Sequence, residues 1–232
     1  MPIHCVVYAP CCRVAPSRMD KLKALIFDFD GLIVDSETAG YRAWSEAYAA
    51  HGCSLPFDQY SACIGTVDGF DLHGHLEQQS GRTIDPGALE AGCNARWREL
   101  VTLESARPGV EALIASAKKR GLKLGVASSS TDEWVVGNLK RLGLANHFDV
   151  ICTRDLVAAV KPDPSLYLLA LERLGVTADE VIAFEDSPHG IVAAKRAGIF
   201  CVAVPNAMTR ELPLDMADRR VGSLEEFTLD DV

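Results

Sequence analysis

The chain has no excess of positive charge: Lys+Arg 23 against Asp+Glu 32 leaves a net charge of -9 over 232 residues. That balance repels phosphate backbones and acidic headgroups, which excludes nucleic acid or an anionic membrane as the main partner. No apolar run approaches the roughly 18 residues of a membrane span. The eight cysteines have no regular spacing and form no C-x-x-C pair. They read as the reduced set of a cytoplasmic protein, not as a disulfide framework or zinc ribbon. Residues 1–18 lack the basic n-region and long apolar h-region of a secretory signal. They match neither a helix nor a strand for long, and His4, Cys5, Cys11 and Cys12 lack metal-ligand spacing. The expectation is that Met19 is the natural start and that 1–18 is upstream sequence or a disordered tail.

What is present is a core. A hydrophobic content of 48% in 232 residues suits one large domain, or a core with a smaller insert. From about Arg107 onward one pattern repeats. Val110, Leu113, Ile114 and Ala117 mark a helix face, and Lys118, Lys119, Arg120 and Gly121 close that helix. LKLGVA follows as a strand, and Ser130-Thr131-Asp132-Glu133 opens the next helix as a capping box. HFDVICT, VIAFED and FCVAVP are further strands, with Cys152 and Cys201 as small core residues inside them. Asp163-Pro164 and Ser187-Pro188 open the helices between them. Strands alternating with helices predict a doubly wound α/β core, a parallel sheet covered on both faces. Residues 36–105 break the alternation with four helical pieces. The predicted organisation is therefore a core of 19–35 and 106–232 with an all-α insert at 36–105. Its crossings lie near Val34 to Ser36 and Glu104 to Pro108.

The core is organised around Lys21 to Glu37, KLKALIFDFDGLIVDSE. Leu25, Ile26 and Phe27 read as a buried parallel strand. Asp28 and Asp30 follow, and side chains two apart on an extended chain share a face. Two carboxylates in one site need a cation or a shared proton; the plainer alternative is a strand that simply runs into an acidic turn. In an open parallel sheet, ligands collect beyond the carboxyl ends of the strands. The other strand ends deliver Ser128 and Ser129, just before a helix N-terminus suited to an anion, then Lys161, then Glu185 and Asp186.

In order, spacing and position of the insert, these residues resemble the four motifs of the haloacid dehalogenase superfamily. The likeness is to its phosphatase branch with a helical cap, similar to β-phosphoglucomutase and phosphoglycolate phosphatase. Asp28-Phe29-Asp30-Gly31 with Asp35-Ser36 looks like the first motif, Ser128 the second, Lys161-Pro162 the third and Glu185-Asp186 the fourth. The resemblance covers about 19–230. It implies an Mg²⁺-dependent phosphatase of a small phosphorylated metabolite, working through an aspartyl-phosphate. Asp28 would be the nucleophile and Asp30 the general acid and base. Lys161 would offset charge, and Ser128, Ser129 and Lys161 would bind phosphate. The metal ligands would be Asp28, the main-chain carbonyl of Asp30 and Asp186, with Glu185 beside them. Nothing in the sequence demands more than a monomer.

The runner-up reading is a phosphosugar mutase of the β-phosphoglucomutase type, since Arg42 to Trp44 is similar to the mutase cap helix. Mutases carry a histidine two residues before that arginine, where this chain has Gly40, and a cap-loop arginine near the position of Asp68. A dehalogenase lacks the second aspartate that Asp30 supplies, and a mere binding module would keep a charged constellation buried without a ligand. Specificity is expected from the loop Gly65 to Asp68 and from the cap helix near Tyr41 and Arg42. His73 and His75, at i and i+2, are expected on the surface, as is His189 at a helix start. Trp44 and Trp97 are expected in the core of the insert, and EEFTLDD as a solvated terminus.

Overall fold

A computed structural model describes residues 21–64 and 69–231. The expectations for 1–18, for Met19 and for the loop Gly65 to Asp68 lie outside the described residues. The strands among the described residues are β1 (Ala24–Phe27), β2 (Lys123–Ala127), β3 (Val150–Cys152), β4 (Val181–Glu185), β5 (Phe200–Ala203) and β6 (Arg219–Arg220). They form one sheet in the order β3-β2-β1-β4-β5-β6, and every pairing is parallel. The strand order reverses at β1, which pairs with β2 on one side and β4 on the other. This is the switch point at which open α/β sheets bind ligands.

Alternation along each strand sorts the core into two layers. Leu25, Phe27, Leu124, Val126, Ile182 and Phe184 face one cluster, shared with Val110, Leu113 and Ile114. Ala24, Ile26, Val181, Ala183 and Cys201 face the other, shared with Leu166, Tyr167, Ala170 and Ile191. Helices α5 (Val110–Lys119), α6 (Asp132–Arg141), α7 (Ser165–Leu174) and α8 (Pro188–Arg196) supply those layers. Each is followed within two residues by a glycine with positive φ, at Gly121, Gly143, Gly175 and Gly198, as their basic-then-glycine endings predict. Between β1 and β2 the chain forms α1 (Ser36–Ala50), α2 (Phe57–Ser61), α3 (Leu72–Ser80) and α4 (Pro86–Thr102). These helices share a cluster of their own, built on Tyr48, Tyr60, Leu72, Leu76 and Leu89. No helix among the described residues is long and apolar enough to cross a membrane.

Several local expectations shift. The N-cap of α6 is Thr131, not Ser130, because the Ser130 hydroxyl is engaged elsewhere and Thr131 Oγ1 accepts from Trp134 N at 3.4 Å. Helix α7 begins at Ser165, one residue late, with Asp163 still accepting from Ser165 N at 2.9 Å. The two-residue β6 went unpredicted, being too short to show a period. The C-terminal segment is not a solvated tail. Leu224, Phe227 and Leu229 are buried against the sheet, and Phe227 meets Phe184 edge to face with ring centroids 5.0 Å apart. Three apolar residues spaced among the acids anchor it. Phe227→Ala is expected to lower the unfolding free energy by about 3–5 kcal/mol, read by urea denaturation. A loss under about 1 kcal/mol would show that the segment contributes no core.

Candidate active site

The site forms where β1 and β4 end side by side. Asp28 N continues the ladder by donating to Phe184 O at 2.9 Å. The chain then turns tightly, with Ile33 N donating to Phe29 O at 2.9 Å and Gly31 N to Val34 O at 2.9 Å. Gly31 sits at φ +76°, and a Cβ there would lie 2.2 Å from Asp186 Oδ2. Only glycine allows both the backbone angle and that approach. On the far side, Asn206 Nδ2 donates to Asp186 Oδ2 at 2.7 Å and to Gly31 O at 3.1 Å. The Arg107 guanidinium also donates to Gly31 O, and to Pro205 O at 2.9 Å. The two acidic strand ends are thus tied together by backbone carbonyls and an amide.

Asp28, Lys161, Glu185 and Asp186 are all buried. The Lys161 ammonium forms an ion pair with Asp28 Oδ1 and lies 2.6 Å from Glu185 Oε1. The Tyr167 hydroxyl donates to that same Glu185 oxygen at 2.5 Å. Burial, then Glu185, push the Asp28 carboxyl up to about 8 against the opposing pull of Lys161. Burial, then Asp28, raise Asp186 well above the usual carboxylate range. Burial works against the charge on Lys161, but Asp28 and Glu185 outweigh it and hold its pKa above the ordinary lysine value.

A divalent cation fits this arrangement. Asp28, Glu185 and Asp186 each offer an oxygen, and these atoms lie within 4.8 Å of one another. Three buried carboxylates around one ammonium leave negative charge uncompensated, and Glu185 Oε2 is buried without a hydrogen-bond partner among the described residues. An all-oxygen donor set suits a hard cation such as Mg²⁺.

The cavity above these groups holds about 260 Å³, at the small end for ligand pockets. Asp28, Asp30, Ser129, Ser130, Lys161 and Asp186 line its floor. The carboxylate of Asp30 is turned toward the start of α6. Ser130 Oγ donates to Asp30 Oδ2 at 2.6 Å, Ser128 Oγ to the same atom at 3.4 Å, and Trp134 Nε1 to Oδ1 at 2.9 Å. Ser128 itself is fully buried behind this wall. Ser129 lines the cavity, and its buried hydroxyl has no partner among the described residues.

From the helices between β1 and β2 the cavity takes Ser36, Glu37, Gly40 and Trp44, one face of α1. Tyr41 and Arg42 lie off that face: Tyr41 Oη donates to Leu55 O at 3.1 Å, and Arg42 pairs with Glu46 at 3.0 Å. The 3.6-residue period turns Arg42 to the opposite side from 37, 40 and 44, whereas Tyr41 flanks that face and packs into the insert's own cluster. His189 is half-buried, with Nδ1 3.4 Å from Ile64 O, so it is not a solvated helix start. His73 and His75 are also half-buried; His73 Nε2 is 2.7 Å from Ile84 O and His75 Nδ1 is 3.0 Å from Tyr48 Oη. Trp97 leaves the insert's own cluster and stacks on Trp134, centroids 4.0 Å apart. Arg107, Ser130, Trp134, Tyr167 and Asn206 carry no site role that the sequence reveals. Arg107 acts on backbone carbonyls and the others on carboxylates, all distant along the chain, and no spacing rule reveals that.

A family profile described as haloacid dehalogenase-like hydrolase matches residues 25–204, and the chain belongs to that family. YhcW of Bacillus subtilis (strain 168) is 48% identical over 208 residues, covering 90% of this chain and 94% of its own. A phosphorylated carbohydrates phosphatase of Thermotoga maritima is 32% identical, covering 77% of this chain and 82% of its own. Among solved structures, CbbY from Rhodobacter sphaeroides in complex with phosphate superimposes with a TM-score of 0.69 at 31% identity, covering 88% of this chain and 96% of that one.

The charge balance has a pH signature. Asp28 binds its proton more tightly folded than unfolded, so its contribution to stability is fully present below its ordinary value of 3.8 and is lost as pH rises to about 8. In EDTA, stability to urea is expected to fall over that window. The stabilisation gained from Mg²⁺ is expected to be larger at pH 8 than at pH 5. Equal gains at both would show that the cation does not bind these carboxylates.

Proposed function

We propose that the chain is an Mg²⁺-dependent phosphatase of small phosphorylated metabolites, sugar phosphates or similar monoesters. The observation that carries this reading is Lys161 holding Asp28 beside Glu185 and Asp186 on the floor of a small cavity. In the proposed reaction an Asp28 oxygen attacks phosphorus, the ester P–O bond breaks, and Asp30 gives its proton to the leaving oxygen. Asp30 then takes a proton from water as that water displaces Asp28 from phosphorus, releasing inorganic phosphate. Lys161 keeps Asp28 in place and offsets charge at the reacting centre. The free hydroxyl of Ser129, the amides opening α6, and Ser128 when its hydroxyl turns from Asp30 would hold phosphate oxygens. Asp28, Asp186 and the carbonyl of Asp30, with Glu185 beside them, would hold Mg²⁺, which supplies positive charge to the phosphoryl oxygens. Residues 36–105 would act as a cap that expels water, joined to a core of 19–35 and 106–232.

No single one of these groups suffices. Phosphate-monoester hydrolysis needs enhancements of up to about 10²¹, whereas one acid or base supplies about 10²–10⁴. Positioned charge must account for most of the remainder.

A phosphosugar mutase would need a cap histidine at position 40 and a basic group for a second phosphate. A Cβ at Gly40 would lie 2.3 Å from Tyr60 Oη. Tyr60 occupies the room a larger side chain would need, which favours the phosphatase reading. Phosphate release from a panel of glucose 6-phosphate, ribose 5-phosphate, phosphoglycolate and nucleotides is expected with Mg²⁺ and is expected to vanish in EDTA. Asp28→Asn is expected to abolish turnover, and full activity in that variant would refute the assignment. Hexose phosphate interconversion primed by a bisphosphate would favour the mutase instead.

A further inference from the structure

The general acid proposed above is held by residues at the start of α6. Asp30 Oδ1 accepts the Trp134 indole N–H at 2.9 Å, and Asp30 Oδ2 accepts the Ser130 hydroxyl at 2.6 Å. An indole N–H only donates, whereas a hydroxyl both donates and accepts. Oδ1 is therefore bound as an acceptor, and the proton of the acid form has its place on Oδ2, where Ser130 can turn to accept it.

Trp134 does not stand alone. Its ring is buried, and the Trp97 ring lies against it with centroids 4.0 Å apart and planes 26° from parallel. Stacked indoles combine a large buried area with a fixed geometry. Trp97 belongs to α4, in the segment between β1 and β2, whereas Trp134 belongs to α6 in the core. The Trp97 indole is fixed in turn: Nε1 donates to Ser36 O at 2.9 Å, and Ser36 Oγ accepts from Gly31 N at 3.1 Å. The indole pair thus spans from the helical insert to the acid, and returns to the turn that follows Asp30.

We infer that Trp134 is a positioning residue for Asp30, and that Trp97 couples its placement to the position of the helical insert. The acid is aligned when the insert sits as it does here, and a displaced insert withdraws the ring that backs Trp134. This rests on the phosphatase reading, and its test uses the leaving group. An alkoxide leaving from a sugar phosphate needs the acid's proton, whereas 4-nitrophenolate does not. The value of kcat/KM covers the steps up to P–O cleavage, so it isolates the acid from its later role as base.

Trp134→Phe keeps an aromatic ring and removes the N–H. The expected result is a fall in kcat/KM of about tenfold to a hundredfold for the best alkyl ester among glucose 6-phosphate, ribose 5-phosphate and phosphoglycolate, a fraction of what a general acid supplies. The fall for 4-nitrophenyl phosphate is expected to be at least about tenfold smaller. Trp97→Leu keeps the Trp134 N–H and removes its backing ring; it should show the same selectivity at about threefold to tenfold, and it decides the matter if Trp134→Phe does not fold. Equal losses on both esters, or no loss on either, overturn the inference and leave Trp134 as a packing residue. If the wild-type protein with Mg²⁺ cleaves neither ester, the phosphatase reading falls and this inference falls with it.

Discussion

One ammonium group among three buried carboxylates is the constraint on which the rest depends. Lys161 lies between Asp28 and Glu185 with almost no solvent to screen it. Its attraction for them offsets part of a desolvation penalty that is several kcal/mol per ion in proteins. It cannot neutralise all of them: burial first, and the neighbouring carboxylates after it, raise the pKa values of Asp28 and Asp186. A site left this acidic attracts either protons or a hard cation. The sheet makes the crowding possible by placing β1 directly beside β4, so that Phe27 registers with Phe184 and the acids beyond both strands must converge.

Around this centre the structure places groups that restrain rather than react. Asn206 and Arg107 join Gly31 O to the loop after β5, which fixes the acids of β1 and β4 relative to each other. Tyr167 reaches Glu185 from α7 on the opposite layer. A geometry tolerance of a few tenths of an ångström in a site comes from such contacts rather than from the reacting side chains.

Much of the fold was legible because its signals are local. The runs Leu25 to Phe27 and Val181 to Glu185 read as buried strands, and the basic-then-glycine helix ends marked their stops. Asp28, Lys161, Glu185 and Asp186 were legible as strand-end residues, and the sheet brings them together. What escaped were side chains whose purpose depends on a distant partner. Trp97 carries the same helical spacing whether it packs within the insert or reaches outward to Trp134, and only the tertiary fold decides. Ser130 looked like an N-cap because a serine before a helix normally is one; Asp30 claims its hydroxyl instead. The acidic C-terminal residues hid Phe227 and Leu229, since composition averages over the few apolar side chains that anchor a segment.

The position of β1 in the middle of the sheet also bears on how the protein is made. Asp28, just past β1, leaves the ribosome before Lys161, which follows 133 positions later, and the acids at the end of β4 come later still. At about 5–20 residues per second, roughly 7–27 s of synthesis separate the nucleophile from its counter-ion. Throughout that interval β1 lacks its β4 neighbour and the acids remain hydrated and apart. The electrostatic opposition built into the finished centre therefore arises only once Glu185 and Asp186 have followed Lys161, after the helices and strands between β1 and β4 already exist.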